Sequence, residues 1–234
     1  MEHKSLIDLF YPPRCAVCDT VLPFGTSGAC QRCLRILPYV EEPRCFRCGQ
    51  TVEDEEEEYC SDCRRRRHLY QQAFPVLQYI PPVSDAVVAM KYRGRAEYAD
   101  FYGGLMGEFF RETWKTLDPE ALVPVPVHPH RLRKRGYNQA ELLAKAMSKV
   151  TGIPVRADLL MRVEDTKAQK ALSREDRSLN LRAAFQAGEG PMPRRLVLVD
   201  DIYTTGATAD GCTEALLRAG AERVYVATVC CGAG

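Results

Sequence analysis

No stretch of this 234-residue chain approaches the length of an apolar membrane span, and Met1 to Cys15 lacks the apolar run of a secretory leader. Together the two absences predict a cytoplasmic protein with no membrane insertion. A dominant charge is missing too. Lys and Arg number 32 against 31 Asp and Glu, a net charge of +1, so the molecule as a whole has no pull toward nucleic acid or lipid, and any such binding has to come from local patches. The segment before residue 64 is short of apolar residues and cannot be expected to build a core of its own. The full chain, at 46% apolar and 27% charged residues, has the composition of a globular protein, with room for one ordinary domain and a smaller one.

Cysteine is abundant, with 11 in all. Eight form four C-x-x-C turns, Cys15/Cys18, Cys30/Cys33, Cys45/Cys48 and Cys60/Cys63, each starting 15 residues after the last. In a cytoplasmic chain such thiols serve as metal ligands rather than disulfides. A C-x-x-C turn puts two thiolates on one side of a zinc ion and a second turn completes the tetrahedron, so eight cysteines make two closed, structural four-thiolate sites. An iron–sulfur cluster is the less favoured occupant. Sequential pairing, first turn with second and third with fourth, is expected because each intervening loop is short enough for a hairpin; cross-brace pairing is the alternative. Cys212, Cys230 and Cys231 lack the spacing and read as small buried hydrophobes.

Beyond His68 the pattern alternates between strand and helix. Strands are predicted over 73–80, 121–127, 159–163, 195–199 and 223–230. Helices are predicted over 84–92, 97–115, 138–150 with Asn138 as N-cap, and 207–219 ended by Gly220. Residues 164–190 read as a long polar loop. The alternation implies an α/β fold, a mostly parallel sheet flanked by helices, behind a small Cys-rich zinc-ribbon domain. The expected division is 1–68 for the ribbons and 69–234 for the α/β domain.

Residues 196–208, LVLVDDIYTTGAT, carry the most specific chemistry. An apolar strand ends in Asp200 and Asp201, and a loop with Thr204, Thr205, Gly206, Ala207 and Thr208 opens a helix. Loop N–H groups and a helix N-terminus suit a phosphate, Gly206 permits close backbone approach, and the acids leave the strand where sugar hydroxyls could be held. The segment resembles the binding signature for 5-phosphoribosyl-1-pyrophosphate (PRPP) in type I phosphoribosyltransferases. The resemblance implies that Asp200 and Asp201 hold the ribose hydroxyls and that residues 204–208 cradle the 5′-phosphate. Thr204 stands where purine-salvage members carry an Asp, which turns the resemblance toward the orotate branch.

Two basic segments accompany it. VPVPVHPHRLRKRGYNQ at 123–139 brings His128, Arg131 and Arg135 to the end of a buried strand, where clustered cations suit a pyrophosphate. Lys167, Lys170, Arg174 and Arg177 lie in the polar 165–185 stretch, which in type I transferases corresponds to a hood; Lys167 and Lys170 are the candidate catalytic cations there. Arg64 to Arg67, with Tyr70, Tyr92 and Tyr137 near cations in sequence, make a second candidate surface, suited to single-stranded DNA by phosphate contacts and base stacking.

Taken together, the CxxC pairs, MKYRG at 90–94, VPVPVHPHRLRKRGYNQAELLA at 123–144, QKALSREDRSLNLRAAF at 169–185 and the 196–208 motif resemble the ComF family, across nearly the whole chain. That resemblance implies a double zinc ribbon with two Zn²⁺ fused to a phosphoribosyltransferase-like domain that takes PRPP with Mg²⁺. It also implies a role in natural competence and DNA uptake. Single-stranded DNA, a competence helicase and other DNA-uptake proteins are the partners it suggests.

Overall fold

The structure, a computed structural model, describes residues 11–163 and 184–232. Two short helices, α1 (Gln31–Leu34) and α2 (Ser61–Arg65), belong to the cysteine-rich segment. The body follows as β1 (Ala73–Gln78), α3 (Val83–Tyr92), α4 (Tyr98–Phe109), α5 (Arg111–Leu117), β2 (Ala121–Pro124), α6 (Pro129–Arg135) and α7 (Gln139–Thr151). After a 3-10 turn at Ala157–Leu159 come β3 (Leu160–Arg162), β4 (Phe185–Ala187), β5 (Arg195–Tyr203), α8 (Ala207–Arg218) and β6 (Arg223–Cys231).

The main sheet has the order β1-β6-β5-β2, with every neighbouring pair parallel. Parallel strands joined by helical crossovers need cover on both faces. β5 divides accordingly. Leu196 and Leu198 enter one core with Cys212 and Leu216 of α8, while Val197 and Val199 enter the other with Leu143 and Met147 of α7 and Tyr102 and Met106 of α4. The cysteine-rich segment contributes to both cores. Cys15, Ala16, Val17 and Leu22 join the α4/α7 side, and Val40, Cys45, Cys48 and Val52 join the α8 side. Both sheet edges are occupied. Val40 N–H donates to Val76 O at 3.0 Å and Gln78 N–H to Pro38 O at 2.7 Å along β1, and 154–156 pairs with Leu122 of β2.

Several boundaries move from the sequence expectation. The strand expected over 121–127 stops at Pro124, because Pro124 and Pro126 have no N–H to give a ladder; Val125 still donates to Val199 O at 2.9 Å. The helix expected over 97–115 breaks at Phe110, which leaves helical geometry at φ −108°, ψ 28° and packs its ring against Phe74 and Trp114. The basic run after His128, for which no helix was expected, is a helix: Pro129 sits at its start, the His128 side chain accepts from His130 N–H, and Gly136 at φ 85° closes it. β4 falls inside the stretch read as loop and pairs antiparallel with β3, where Phe185 is buried. Asn138 caps α7 as expected, accepting from Ala140 N–H at 3.1 Å. Cys212, Cys230 and Cys231 are buried, as read.

The tightest helix contact is between α4 and α7. A Cβ at Gly103 would stand 2.4 Å from Leu143 O and 2.6 Å from the Ala146 Cβ, both on a neighbouring helix that cannot yield locally. Gly104, next along α4, has only a Val150 methyl at 4.0 Å. Gly103→Ala should therefore destabilise the protein by about 1–3 kcal/mol through overpacking. Gly104→Ala should be neutral or stabilising by up to about 1 kcal/mol, since alanine is the better helix former. Thermal unfolding of the two variants beside wild type checks the contrast; equal melting temperatures would refute the close packing.

Candidate functional site

The thiolates come together in two sets. Cys15, Cys18, Cys30 and Cys33 form one, and Cys45, Cys48, Cys60 and Cys63 the other, with the sulfurs of each within 4.8 Å of one another. Pairing is thus sequential. All eight are free thiols. A tetrahedron with metal–sulfur bonds of about 2.3 Å has sulfur–sulfur edges of about 3.8 Å. Cys18 and Cys30 lie 4.0 Å apart, Cys48 and Cys60 3.7 Å apart, so both sets fit zinc. Four cysteines leave no open position, which makes both sites structural.

A second cluster gathers where the parallel strands end. Asp200 and Asp201 lie within β5 rather than just beyond it, and the loop follows Tyr203. Asp201 is buried, and each of its carboxylate oxygens has a partner. Lys91, at the end of α3, forms an ion pair with Oδ2, and Gln139 Nε2 donates to Oδ1 at 3.2 Å. Burial alone pulls the Lys91 ammonium down, but the Asp201 charge and hydrogen bond more than offset this and leave it raised. Lys91 thereby offsets part of the several kcal/mol that a lone buried carboxylate would cost. Gln139 is held in turn by the Arg135 guanidinium, which lies 5.4 Å from the centre of the Tyr92 ring. Asp200 accepts from Asp201 N–H at 2.9 Å, and burial, then the neighbouring Asp201 charge, raises its carboxyl well above the ordinary carboxylate range.

The loop after β5 is shaped by Gly206. Its φ of 74° is left-handed, and a Cβ there would stand 2.6 Å from the Tyr203 hydroxyl and 2.8 Å from the His68 ring, so only glycine fits on both counts. Thr204 and Thr205 are exposed, and Ala207 and Thr208 open α8, whose first-turn N–H groups have no partners inside the helix. Asp210 in that turn is held from below: the His68 Nδ1–H donates to Oδ2 and Leu69 N–H to Oδ1, each at 2.8 Å. The proton sits on Nδ1 because a carboxylate can only accept.

Of the residues singled out from sequence, Asp200, Asp201 and the 204–208 loop stand together at the carboxyl end of β5, and Arg135 reaches them through Gln139. β2, the neighbour of β5, delivers His128 and Arg131 to the same end of the sheet. His128 caps α6 with its Nδ1, and Arg131 is exposed. Lys167, Lys170, Arg174 and Arg177 lie outside the described residues. Tyr70 is fully buried and unavailable for stacking on a base; Tyr137 is half-buried and donates to Met90 O; Tyr92 is 73% exposed. Sequence reasoning passed over Lys91, Gln139, His68 and Asp210. Only Lys91 carried a signal, a lone cation closing the apolar run AVVAM.

Stripping metal from the thiolate sets should do more than loosen a surface module, because Cys15, Cys33, Cys45 and Cys48 belong to the two cores. Two zinc ions per chain are expected by elemental analysis. A strong chelator should lower the melting temperature and make the eight thiols reactive; iron, or one ion per chain, would refute the assignment.

The comparisons with known proteins agree with this geometry. The double zinc ribbon domain family matches residues 6–64. Competence protein F of Haemophilus influenzae is 31% identical over 172 residues, 71% of this chain and 75% of that protein. DNA utilization protein YhgH of Escherichia coli is 31% identical over 171 residues, covering 72% and 75% of the two chains. Competence protein ComFC of Bacillus subtilis is 28% identical over 155 residues, covering 65% and 60%. Two sequential four-thiolate sets ahead of a parallel α/β body, with relatives at this level over three quarters of their length, place the chain in the ComF family.

Proposed function

We propose that the chain is a PRPP-binding, phosphoribosyltransferase-like protein that acts in competence and DNA uptake, with a ribbon domain over 1–68 and a transferase-like domain over 69–234. The observation that carries this reading is the pairing of Asp200 and Asp201 with a left-handed Gly206 loop at the carboxyl end of an interior parallel strand, the position where open α/β sheets hold ligands. Support for the setting comes from the relatives, which are named for competence and DNA utilization.

In this reading the 5′-phosphate lies on the N–H groups of 204–208, with the hydroxyls of Thr204, Thr205 and Thr208 as further donors. Asp200 and Asp201 accept from the ribose hydroxyls, Asp201 through the lone pairs that Lys91 and Gln139 leave on its two oxygens. His128, Arg131 and Arg135 face the pyrophosphate, which leaves C1 with the bonding electron pair as a nitrogen nucleophile bonds to C1 and loses its proton. Guanidinium groups stabilise the charge that builds on the leaving oxygens. Lys167 and Lys170, the candidate catalytic cations of the sequence, would add positive charge to the leaving pyrophosphate. Mg²⁺ carried on PRPP would neutralise phosphate charge, and the Asp200 carboxylate is a hard oxygen donor suited to it.

A second reading is a non-catalytic module for single-stranded DNA or for a DNA-uptake partner such as a helicase, regulated by PRPP. What favours it is the exposed Tyr92 ring beneath the Arg135 guanidinium, a stacking platform at the mouth of the same site.

Calorimetric titration of the zinc-loaded protein with PRPP and Mg²⁺ tests the first reading. Asp200→Asn with Asp201→Asn should weaken binding by at least about a hundredfold, since hydrogen bonds to charged groups are worth about 1.5–3 kcal/mol each. Asp200→Asn alone, which spares the Lys91 pair, should show a smaller loss with an unchanged melting temperature. No binding to wild type would end the PRPP reading. Arg131→Glu with Arg135→Glu should weaken PRPP and single-stranded DNA together; unchanged affinity for both would remove the shared basic patch.

A further inference from the structure

The residues that leave the second thiolate set run directly beneath the loop assigned to the 5′-phosphate. Arg47 stands between the ligands Cys45 and Cys48. Its guanidinium donates to the carbonyls of Tyr70 and Gln71, at 2.5 and 2.8 Å, and its own carbonyl accepts from Ala73 N–H at 2.8 Å. Tyr70, fully buried, meets the Tyr203 hydroxyl at 2.6 Å and stacks on His68 with ring centres 5.0 Å apart. Burial holds both phenols protonated, so one hydroxyl always donates to the other. His68 and Tyr203 are the two side chains against which Gly206 rests, and His68 with Leu69 takes both oxygens of Asp210 in the first turn of α8. The metal ligands, Arg47, Tyr70, His68 and the loop therefore form one unbroken set of contacts.

Among the described residues the first thiolate set has no such route to the loop. Its turn rests on α4, where Tyr102 donates to Ala16 O at 3.0 Å and Tyr98 to Asp19 Oδ1 at 2.5 Å. The two sets are alike in ligands and different in what they support.

We propose that the linker His68–Tyr70 couples the second thiolate set to the Thr204–Thr208 loop, so that metal at Cys45, Cys48, Cys60 and Cys63 and a phosphate ester at the loop each strengthen the other's binding. The inference rests on the PRPP reading of the loop. His68 and Tyr70 are positioning residues; they hold the loop and the Asp210 carboxylate rather than the ligand. A loop already in its bound shape spends less of its binding energy on ordering. Metal that orders the Cys45–Cys48 turn fixes Arg47, and through it the linker under Gly206. Because such coupling is reciprocal, PRPP must tighten that metal by the same factor.

The experiment uses the full chain loaded with zinc. Cysteines are alkylated in the presence of a mild chelator, with and without PRPP and Mg²⁺, and read residue by residue by mass spectrometry. The expected result is that PRPP slows modification of Cys45, Cys48, Cys60 and Cys63 by at least about fivefold, the lower end of ordinary coupling between sites, and leaves Cys15, Cys18, Cys30 and Cys33 unchanged. His68→Phe keeps a ring on Tyr70 but cannot donate to Asp210. It should weaken PRPP by about tenfold or more and abolish the selective protection while retaining two zinc ions. His68→Asn, which restores a donor near the Nδ1 position, should recover both. Should His68→Phe lose a zinc ion, Tyr70→Phe, which removes only the hydroxyl on Tyr203, carries the same expectation. PRPP binding with no protection, or with equal protection of both sets, would overturn the coupling alone. Failure of wild type to bind PRPP would overturn the reading of the loop and the coupling with it.

Discussion

A parallel sheet cannot leave either face to water, and this one is four strands wide among the described residues. Helices α3, α4 and α7 cover one face and α8 with the β3–β4 ribbon the other, yet neither cover is complete from the body alone. The cysteine-rich segment fills what remains, one thiolate set on each side, and Cys15 and Cys45 are as buried as any residue of the strands. The dependence runs both ways. A segment too poor in apolar residues to fold by collapse obtains its shape from metal and its apolar surroundings from the sheet. Metal chemistry and hydrophobic burial are thus two parts of a single core arrangement.

The same economy governs the acid pair. Asp201 is buried, with Lys91 on one carboxylate oxygen and Gln139 on the other. Gln139 joins the acid to Arg135, and Arg135 to Tyr92, so the basic helix and the strand acids are set relative to each other by packed contacts rather than by long-range attraction. A site built this way keeps its charges at fixed separations before any ligand arrives, which is the arrangement that electrostatic stabilisation of a leaving anion requires.

Much of this was legible in the sequence where the chemistry is local. The thiolate sets follow from spacing, because each C-x-x-C is a single turn and each hairpin closes within 15 residues. The strand-loop-helix around Asp200 is contiguous, as is the cap at Asn138. Other features were hidden for physical reasons. α6 shows Pro129 and Gly136 at its ends, but a helix with no buried residue has no apolar stripe to announce it. β4 is three residues long, below the length at which alternation is recognisable. The second acid's partners come from α3 and α7, and His68 meets Asp210 across 142 positions. Nothing in a local window relates such residues; only the folded sheet does.

The pairing of Pro38 and Val40 with β1 has an outcome of its own. A parallel sheet presents an open row of N–H and C=O groups along each outer strand, and an uncovered row invites another chain to add a strand. On the β1 side that row is occupied by the short link between the two thiolate sets, so the seal is only as durable as the metal on either side of it. Without zinc that link would lose what fixes its two ends, and the β1 row would be open to strand addition.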